Sequence, residues 1–121
     1  MNLYYGLRIK TQQILTIEYT GNSVAGRTVA LDLDDGTAVF GMSIVKDLDG
    51  AFNWVVQHRS LGGTTAAFLN LTNPSTNNIV FFDDTDATAT TLTVGDNTAV
   101  NSNGNRYVSY NFAHNPTKGI F

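Results

Sequence analysis

The chain has 121 residues, a formal net charge of −3 and no cysteine. This length fits one domain, and without cysteine neither a disulfide nor thiol chemistry is available. The sequence has no basic stripe, which excludes nucleic acid as a partner, and no apolar run of about 18 residues that could cross a membrane as a helix. Glu18 is the only glutamate, so exposed helices are not expected.

Apolar residues alternate with small polar ones, and the breaks are Gly, Asn, Asp and Thr, which predicts short strands joined by tight turns. Alternating strands that bury one face and wet the other are typical of an antiparallel sandwich. We therefore expect an all-β fold, an antiparallel β-sandwich of jelly-roll type, as a single domain over residues 1–121. The predicted strands are Leu3–Ile9, Ile14–Tyr19, Thr28–Leu33, Val39–Lys46, Asn53–His58, Ala66–Leu71, Asn78–Phe82, Thr91–Val94 and Tyr107–Phe112.

Four strands alternate clearly enough to predict which side chains face the core. Ser109 and Asn111 are predicted to point outward, and Trp54 is expected to pack inside. The predicted inward-facing sets are Leu15, Ile17 and Tyr19; Val29, Leu31 and Leu33; Phe40, Met42 and Ile44; and Val108, Tyr110 and Phe112.

Dense turn signals separate the strands. Asp49-Gly50 lies between two strong strand patterns and predicts a hairpin. No segment has sustained helical periodicity, so at most Gln57–Leu61 forms a single helical turn.

The two ends differ from the middle. Residues 1–13 are predicted to form an N-terminal assembly strand or arm, and residues 115–121 a short C-terminal tail that ends in two apolar residues. The start of the chain lacks a basic segment followed by an apolar one, so no secretory signal is expected and the chain is expected to be made in a cytosol. The predicted interaction residues are Leu3, Tyr4, Tyr5, Ile120 and Phe121.

Trp54, His58 and Arg59 are the first candidates for a binding site. An aromatic ring, an imidazole and a guanidinium could together hold a sugar, so His58 and Arg59 are candidate ligand contacts. The structural alternative places Trp54 in the core, with His58 hydrogen-bonded at the strand end and Arg59 with Ser60 capping the following turn. The structural alternative is the favoured one.

The aspartates of Asp83–Asp86 form a dense acidic cluster, and such a loop can bind calcium through carboxylate oxygens. The run lacks the glycine and the glutamate of an EF-hand loop, so a solvated turn is predicted instead. The argument for a metal site is weaker at the other group of aspartates, Asp32, Asp34 and Asp35. No metal site and no cofactor are expected.

Catalytic patterns are missing from the sequence. No serine lies in a G-x-S-x-G elbow, and the two histidines lack metal-ligand spacing. The aspartates lie almost all in turn-like contexts, unlike the two differently placed carboxylates of a glycosidase. We predict no catalytic residues and no enzymatic activity.

Several separated motifs, in a fixed order over residues 15–114, give the chain a family likeness. They resemble a domain of unknown function in virion proteins of tailed bacteriophages, common in phages of aquatic bacteria and often found in tail-fibre-like chains beside lectin-like sandwich domains. The motifs are Tyr19-Thr20-Gly21-Asn22, Ala25-Gly26-Arg27-Thr28, Met42–Lys46, Trp54–Gly62, Phe68–Asn73 and Val94–His114.

This resemblance implies a virion structural protein. Because the domain stands alone in these 121 residues, it implies a capsid decoration (cement) protein, made in the host cytoplasm and located in the virion. The implied partners are the phage major capsid protein, other virion proteins and further copies of the chain, with a homotrimer by analogy with other decoration proteins. The alternative is a carbohydrate- or receptor-binding domain of a tail fibre or spike.

Overall fold

A computed structural model describes residues 14–33 and 39–114, and these residues form an antiparallel, all-β structure, as the sequence predicts. Strands hold 45% of the residues and a helix 4%. The elements are β1 (Ile14–Thr20), β2 (Arg27–Ala30), β3 (Val39–Asp47), β4 (Val55–His58), β5 (Thr65–Phe68), β6 (Thr76–Asn77), β7 (Thr91–Val94), α1 (Thr98–Asn101) and β8 (Arg106–His114).

Six strands form one sheet, in the order β1-β8-β3-β4-β5-β6, and β2 pairs with β7 in a second, two-stranded sheet. Each paired strand is antiparallel to its neighbour. β3 and β4 form the hairpin predicted around Asp49-Gly50, with Met42 opposite His58 and Val45 opposite Val55. Antiparallel pairing of β8 between β1 and β3 places the two longest strands at the centre of the large sheet.

One predicted strand is wrong, and one short helix was not predicted. Asn78–Phe82 forms turns instead of a strand, and the short β6 precedes it at Thr76–Asn77. α1 was not predicted, because a single helical turn has no periodicity to detect; the side chain of Asn97 caps it by accepting a hydrogen bond from the Ala99 N–H at 2.8 Å. The predicted strand Leu3–Ile9 lies outside the described residues.

The apolar core is one cluster that contains residues of both sheets and of α1. The predicted inward sets are confirmed on β1 and in the segment that starts in β2. On β1, Tyr19 is buried and Leu15 and Ile17 pack against the core; the buried residues of the second set are Val29, Leu31 and Leu33. The core residues are Tyr19, Val29, Leu31, Leu33, Phe40, Val45, Val55, Ala66, Phe81, Phe82, Leu92, Val94, Ala99, Val100, Tyr107 and Ala113.

The predicted faces of β3 and β8 are only partly right. Phe40 and Val108 are buried as predicted, but the other four residues are half-buried and lie outside the core cluster: Met42, Ile44, Tyr110 and Phe112. The register of β3 against β8 shifts between Phe40 and Met42, so these two residues do not share a face. Gly41 lies at this bulge, and a Cβ there would come within 2.7 Å of the Phe112 carbonyl oxygen, so only glycine allows the close approach. Phe40 therefore points into the core while Met42 points away from it.

Polar side chains take the inward positions that were assigned to the outside. Ser43, Ser109 and Asn111 are completely buried on the inner face of β3 and β8. The Ser43 hydroxyl donates to Asn111 Oδ1, and Asn111 Nδ2 donates to the Leu15 backbone carbonyl at 3.1 Å and to Ser109 Oγ at 3.0 Å. This network satisfies the groups that burial would otherwise leave unpaired.

Two tyrosines anchor α1 to the large sheet. The rings of Tyr19 and Tyr107 stack with centroids 5.3 Å apart. The Tyr19 hydroxyl donates to the Val100 carbonyl, and the Tyr107 hydroxyl to the Thr98 carbonyl, each at 2.7 Å. Burial raises the pKa of Tyr19 far above its usual range and raises that of Tyr107.

Candidate functional site

The outward side of the large sheet, called here the outer face, carries an apolar centre. It is formed by the residues of β1, β8, β3 and β4 whose side chains point away from the second sheet. Its apolar members are Ile14, Val108, Tyr110, Phe112, Val39, Met42, Ile44 and Val56. These include the residues of β3 and β8 that the sequence pattern assigned to the core.

The outer face is separate from the core. Val108 is 6% exposed and Val56 8%, yet neither belongs to the cluster that joins the two sheets. Larger neighbours such as Ile44 and Tyr110 are half-buried, and Ile14 at the edge strand is 61% exposed. Within residues 14–33 and 39–114, the core cluster joins β2, β7 and α1 to the inner side of the large sheet.

Charged side chains form one rim of the outer face. Glu18, Val108 and Lys46 lie in one row across β1, β8 and β3. At the end of β8, Arg106 Nη2 lies 2.8 Å from Asp49 Oδ1. Hydrogen bonds from Arg106 lower the pKa of Asp49. An apolar centre with a charged rim is the composition of a protein–protein interface.

Trp54 is not the core residue that the sequence predicts. It precedes β4 and is half-buried, and it belongs neither to the core nor to the side chains packed against it. Its backbone N–H donates to Asn70 Oδ1 at 3.0 Å. With Leu69 and Asn70 it lines a shallow depression of about 150 Å³.

The structure does not bring His58 and Arg59 together in one site. His58 is opposite Met42 on the outer face, and its Nδ1 accepts the Ser60 N–H at 3.1 Å, as the structural alternative predicts. Arg59 follows β4 and lines a cavity on the other side of the sheet. Its backbone N–H donates to the Gly41 carbonyl at 2.9 Å.

That cavity, called here the Gln57 cavity, has a volume of about 330 Å³. Gln57 is 1% exposed, and its Oε1 accepts the Ala87 N–H at 2.8 Å. Its Nε2 is buried without a hydrogen-bond partner in the described part of the chain. The other residues that line the cavity are Val39, Phe40, Arg59, Gly62, Asp86, Ala87, Thr88 and Ala89.

The acidic cluster is tied to the loop after β4. Asp86 Oδ1 accepts the Gly63 N–H at 2.8 Å, and Asp84 accepts the Thr64 hydroxyl. Asp83 and Asp84 have positive φ values of 56° and 50°, which marks a tight turn. Among residues 14–33 and 39–114, no three His, Cys, Asp or Glu side chains lie close enough to share a metal ion.

Several predicted site residues lie outside the described ranges. These are the candidate interaction residues Leu3, Tyr4, Tyr5, Ile120 and Phe121, together with Asp34 and Asp35 of the weaker acidic group. In the described part of the chain, no helix is long and apolar enough to cross a membrane.

Comparison with known proteins gives one family. The family model described as "Domain of unknown function (DUF7483)" matches residues 11–119. The match covers most of the chain, and the chain belongs to this family. Comparison with curated proteins and with solved structures gives no match.

Proposed function

We propose that this chain is a structural protein of a bacteriophage virion, a decoration protein that binds the outside of the capsid shell. The motifs that resemble phage virion domains lie within residues 11–119, which match the family model. We further propose that the two described sheets are the unequal layers of a sandwich related to the jelly roll. The structural observation that carries the proposal is the outer face.

The outer face has the size and composition of an assembly surface. With strands rising ~3.3 Å per residue and spaced ~4.8 Å apart, the large sheet covers on the order of 500 Å². This area is of the same order as the ~800 Å² that each partner buries in a standard interface. A half-buried Tyr110 and Met42 at its centre belong to residue types that are enriched at such interfaces.

The occupant that we propose for this face is segment 1–13 of a neighbouring copy. β1 begins at Ile14, directly after that segment, and Ile14 lies on the outer face opposite Phe112. An extended segment of this length reaches about 43 Å, whereas six strands span only about 24 Å. The segment is therefore long enough to leave its own sheet and cross the sheet of a second copy.

The alternation in the segment fits this role. Leu3 and Tyr5 are two residues apart, so in an extended segment they point to the same side and can insert between the half-buried side chains of the outer face. Exchange of such segments links copies into a closed assembly. Many weak contacts of each assembly with adjacent shell subunits then add up through avidity.

Deletion of residues 1–11 tests the proposal. We expect the mass measured by light scattering to fall from that of an oligomer to that of a monomer, because the exchanged segment is lost. We expect the melting temperature of the domain to fall less than it does in a core variant such as Val45→Ala, since no residue of the core described above is removed.

Two outcomes would contradict the proposal. An unchanged oligomer mass after the deletion would place the assembly surface elsewhere. A parent that is already monomeric, with a large fall in melting temperature on deletion, would mean that the segment covers the outer face of its own chain.

A matched pair of point variants separates the outer face from the rest of the domain. Ile44→Lys places a charge in its apolar centre, whereas Thr28→Lys adds the same charge at an exposed position of β2, in the second sheet. We expect only Ile44→Lys to dissociate the oligomer and to abolish binding to undecorated shells. Equal behaviour of the two variants would contradict an interface centred on the outer face.

A further inference from the structure

The shallow depression at the start of β4, called here the Trp54 depression, exposes two large apolar side chains. It is lined by Trp54, Leu69 and Asn70, and its volume is about 150 Å³. Leu69 is 62% exposed and Trp54 is half-buried, so both side chains meet solvent. Exposed apolar surface that is rimmed by polar groups is typical of a binding site.

Hydrogen bonds hold the backbone of the Trp54 depression in place. The backbone N–H of Trp54 donates to Asn70 Oδ1 at 3.0 Å, and the Leu69 N–H donates to the Trp54 carbonyl at 3.0 Å. Asn70 Nδ2 donates to Asn53 Oδ1 at 3.1 Å. These bonds join the start of β4 to the residues that follow β5, so the indole and the leucine project from a fixed frame and binding requires little further ordering.

The polar groups at this depression are neutral donors. Asn70 is exposed, and the bond to Asn53 uses one of its two Nδ2 hydrogens, so the other is a donor with a fixed direction. The indole N–H of Trp54 has no acceptor among the described residues and is not one of the buried unpaired atoms, so solvent reaches it. In the described part of the chain, no charged side chain lines the depression. The surface therefore suits a neutral ligand with one apolar side and acceptors at its edge.

We propose that the Trp54 depression binds a neutral pyranose sugar. A face of the sugar ring made of C–H bonds stacks on the indole and contacts Leu69, while hydroxyl oxygens at the ring edge accept from Asn70 Nδ2 and the indole N–H. None of the apolar residues of the outer face lines this depression, so sugar binding does not depend on the proposed assembly surface. Display in many copies, as proposed above, would turn this weak contact into firm attachment to a glycan-covered surface through avidity.

Trp54 is the only tryptophan of the chain, so its indole signal in a ¹H–¹⁵N NMR spectrum reports on this site alone. Methyl β-galactopyranoside is the probe, because its axial hydroxyl leaves an unbroken face of C–H bonds on the other side of the ring. We expect millimolar probe to shift the indole N–H signal and the side-chain amide signals of Asn70 in a saturable way. Galactitol carries its hydroxyls in an open chain without a rigid apolar face, and we expect it to cause no saturable shift at the same concentration.

Two variants locate the binding, and a third is the control. Trp54→Ala removes the stacking surface, and we expect at least about tenfold weaker binding, measured at the Asn70 signals. Leu69→Ala shortens an exposed side chain, and we expect about fourfold weaker binding, the effect of one buried methylene group. Leu61→Ala makes the same change at another exposed leucine, outside the depression, and should bind as the parent does. If Trp54→Ala fails to fold, the comparison of the two leucine variants decides.

The sugar site is overturned if the galactoside causes no saturable shift of the indole signal, or if galactitol shifts it equally. It is also overturned if the two leucine variants bind the galactoside equally well. Saturable indole shifts with a synthetic peptide of residues 1–13, in place of the sugar, would assign the depression to the assembly segment and would refute the sugar site. That outcome would leave the proposed assembly intact, since deletion of residues 1–11 tests the assembly separately.

Discussion

Asn101 clamps the connection between β1 and β2, and its replacement should destabilise the domain strongly. The side chain is completely buried at the end of α1. Its Oδ1 accepts the Asn22 N–H at 2.8 Å, and its Nδ2 donates to the carbonyls of Gly95 at 2.9 Å and Val24 at 3.0 Å. One side chain thus pairs three backbone groups from two separate loops.

Asn101→Ala removes all three bonds. The Gly95 carbonyl is buried and would lose this partner, at a cost of ~1–3 kcal/mol, whereas Asn22 and Val24 are exposed and can bond water. The small cavity that the alanine leaves adds a further cost, so we expect a total loss of about 2–4 kcal/mol in the free energy of unfolding. This is a large part of the ~5–15 kcal/mol that stabilises a typical domain.

Asn101→Asp should be worse than alanine at neutral pH, because a buried carboxylate would face two carbonyl oxygens. Burial raises the pKa of such a group, so the folded state binds its proton more tightly than the unfolded state. The stability of this variant should therefore rise as the pH falls below its folded-state pKa and the carboxyl becomes a donor again.

Urea unfolding at neutral and acidic pH measures these effects, with Asn103→Ala as the control at an exposed position two residues further on. A loss below about 0.5 kcal/mol for Asn101→Ala would refute the clamp, since that is the ordinary range for surface changes. Equal stability of the aspartate and alanine variants at neutral pH would refute the claim that a carboxylate at position 101 faces two carbonyl oxygens.

Three further outcomes are expected. Trp54→Ala should cost only about 1–2 kcal/mol in chemical unfolding, because its half-buried side chain leaves little cavity; a loss of ~3–5 kcal/mol would return it to the core. Tyr19→Phe should reduce the loss of stability at alkaline pH. The raised pKa of buried Tyr19 contributes stability that is present below pH ~10 and is lost as the pH rises above it. Identical alkaline unfolding curves for the variant and the parent would contradict this. A chelator should leave the melting temperature unchanged, since oxygens of Asp84 and Asp86 already accept hydrogen bonds from Thr64 and Gly63; a large fall would reveal a metal site.

Alternation in the sequence is enough to predict the fold class and most strands. β7 is found at the predicted bounds, Thr91–Val94, and the hairpin at Asp49-Gly50 joins the predicted strands. Period-two patterns depend only on local geometry, so they survive without knowledge of the tertiary structure. Asn78–Phe82 fails because a continuous apolar run does not distinguish a strand from turns that bury Phe81 and Phe82.

The direction of the β3 and β8 faces could not be read from hydrophobicity alone. Both faces carry apolar residues, and the inner one also holds Ser43, Ser109 and Asn111 in a satisfied network. One signal was present: Gly41 within a strand pattern indicates a bulge, which moves Phe40 and Met42 to opposite faces. With that shift, the apolar set from Met42 onward belongs to an outer surface.

The candidate sites were only partly visible in the sequence. Arg59 was named as a possible ligand contact and lines the Gln57 cavity, whereas Asp86 was considered only within an acidic metal-binding cluster. Gln57 was not named, because the cavity joins β4 to a loop about 30 residues further along the chain. Whether a buried amide keeps an unpaired donor depends on the distance to every neighbour, which no local pattern encodes. His58 was assigned correctly to a strand-end hydrogen bond because that contact is local.

A density map of the intact virus particle tests the central claim most directly. The account predicts this domain on the outer surface of the capsid, in hundreds of copies, with Tyr110 and Ile44 of the outer face covered by a segment from a neighbouring copy. Density only at a tail fibre or spike, in at most tens of copies, or an outer face left open to solvent in the assembled particle would contradict it.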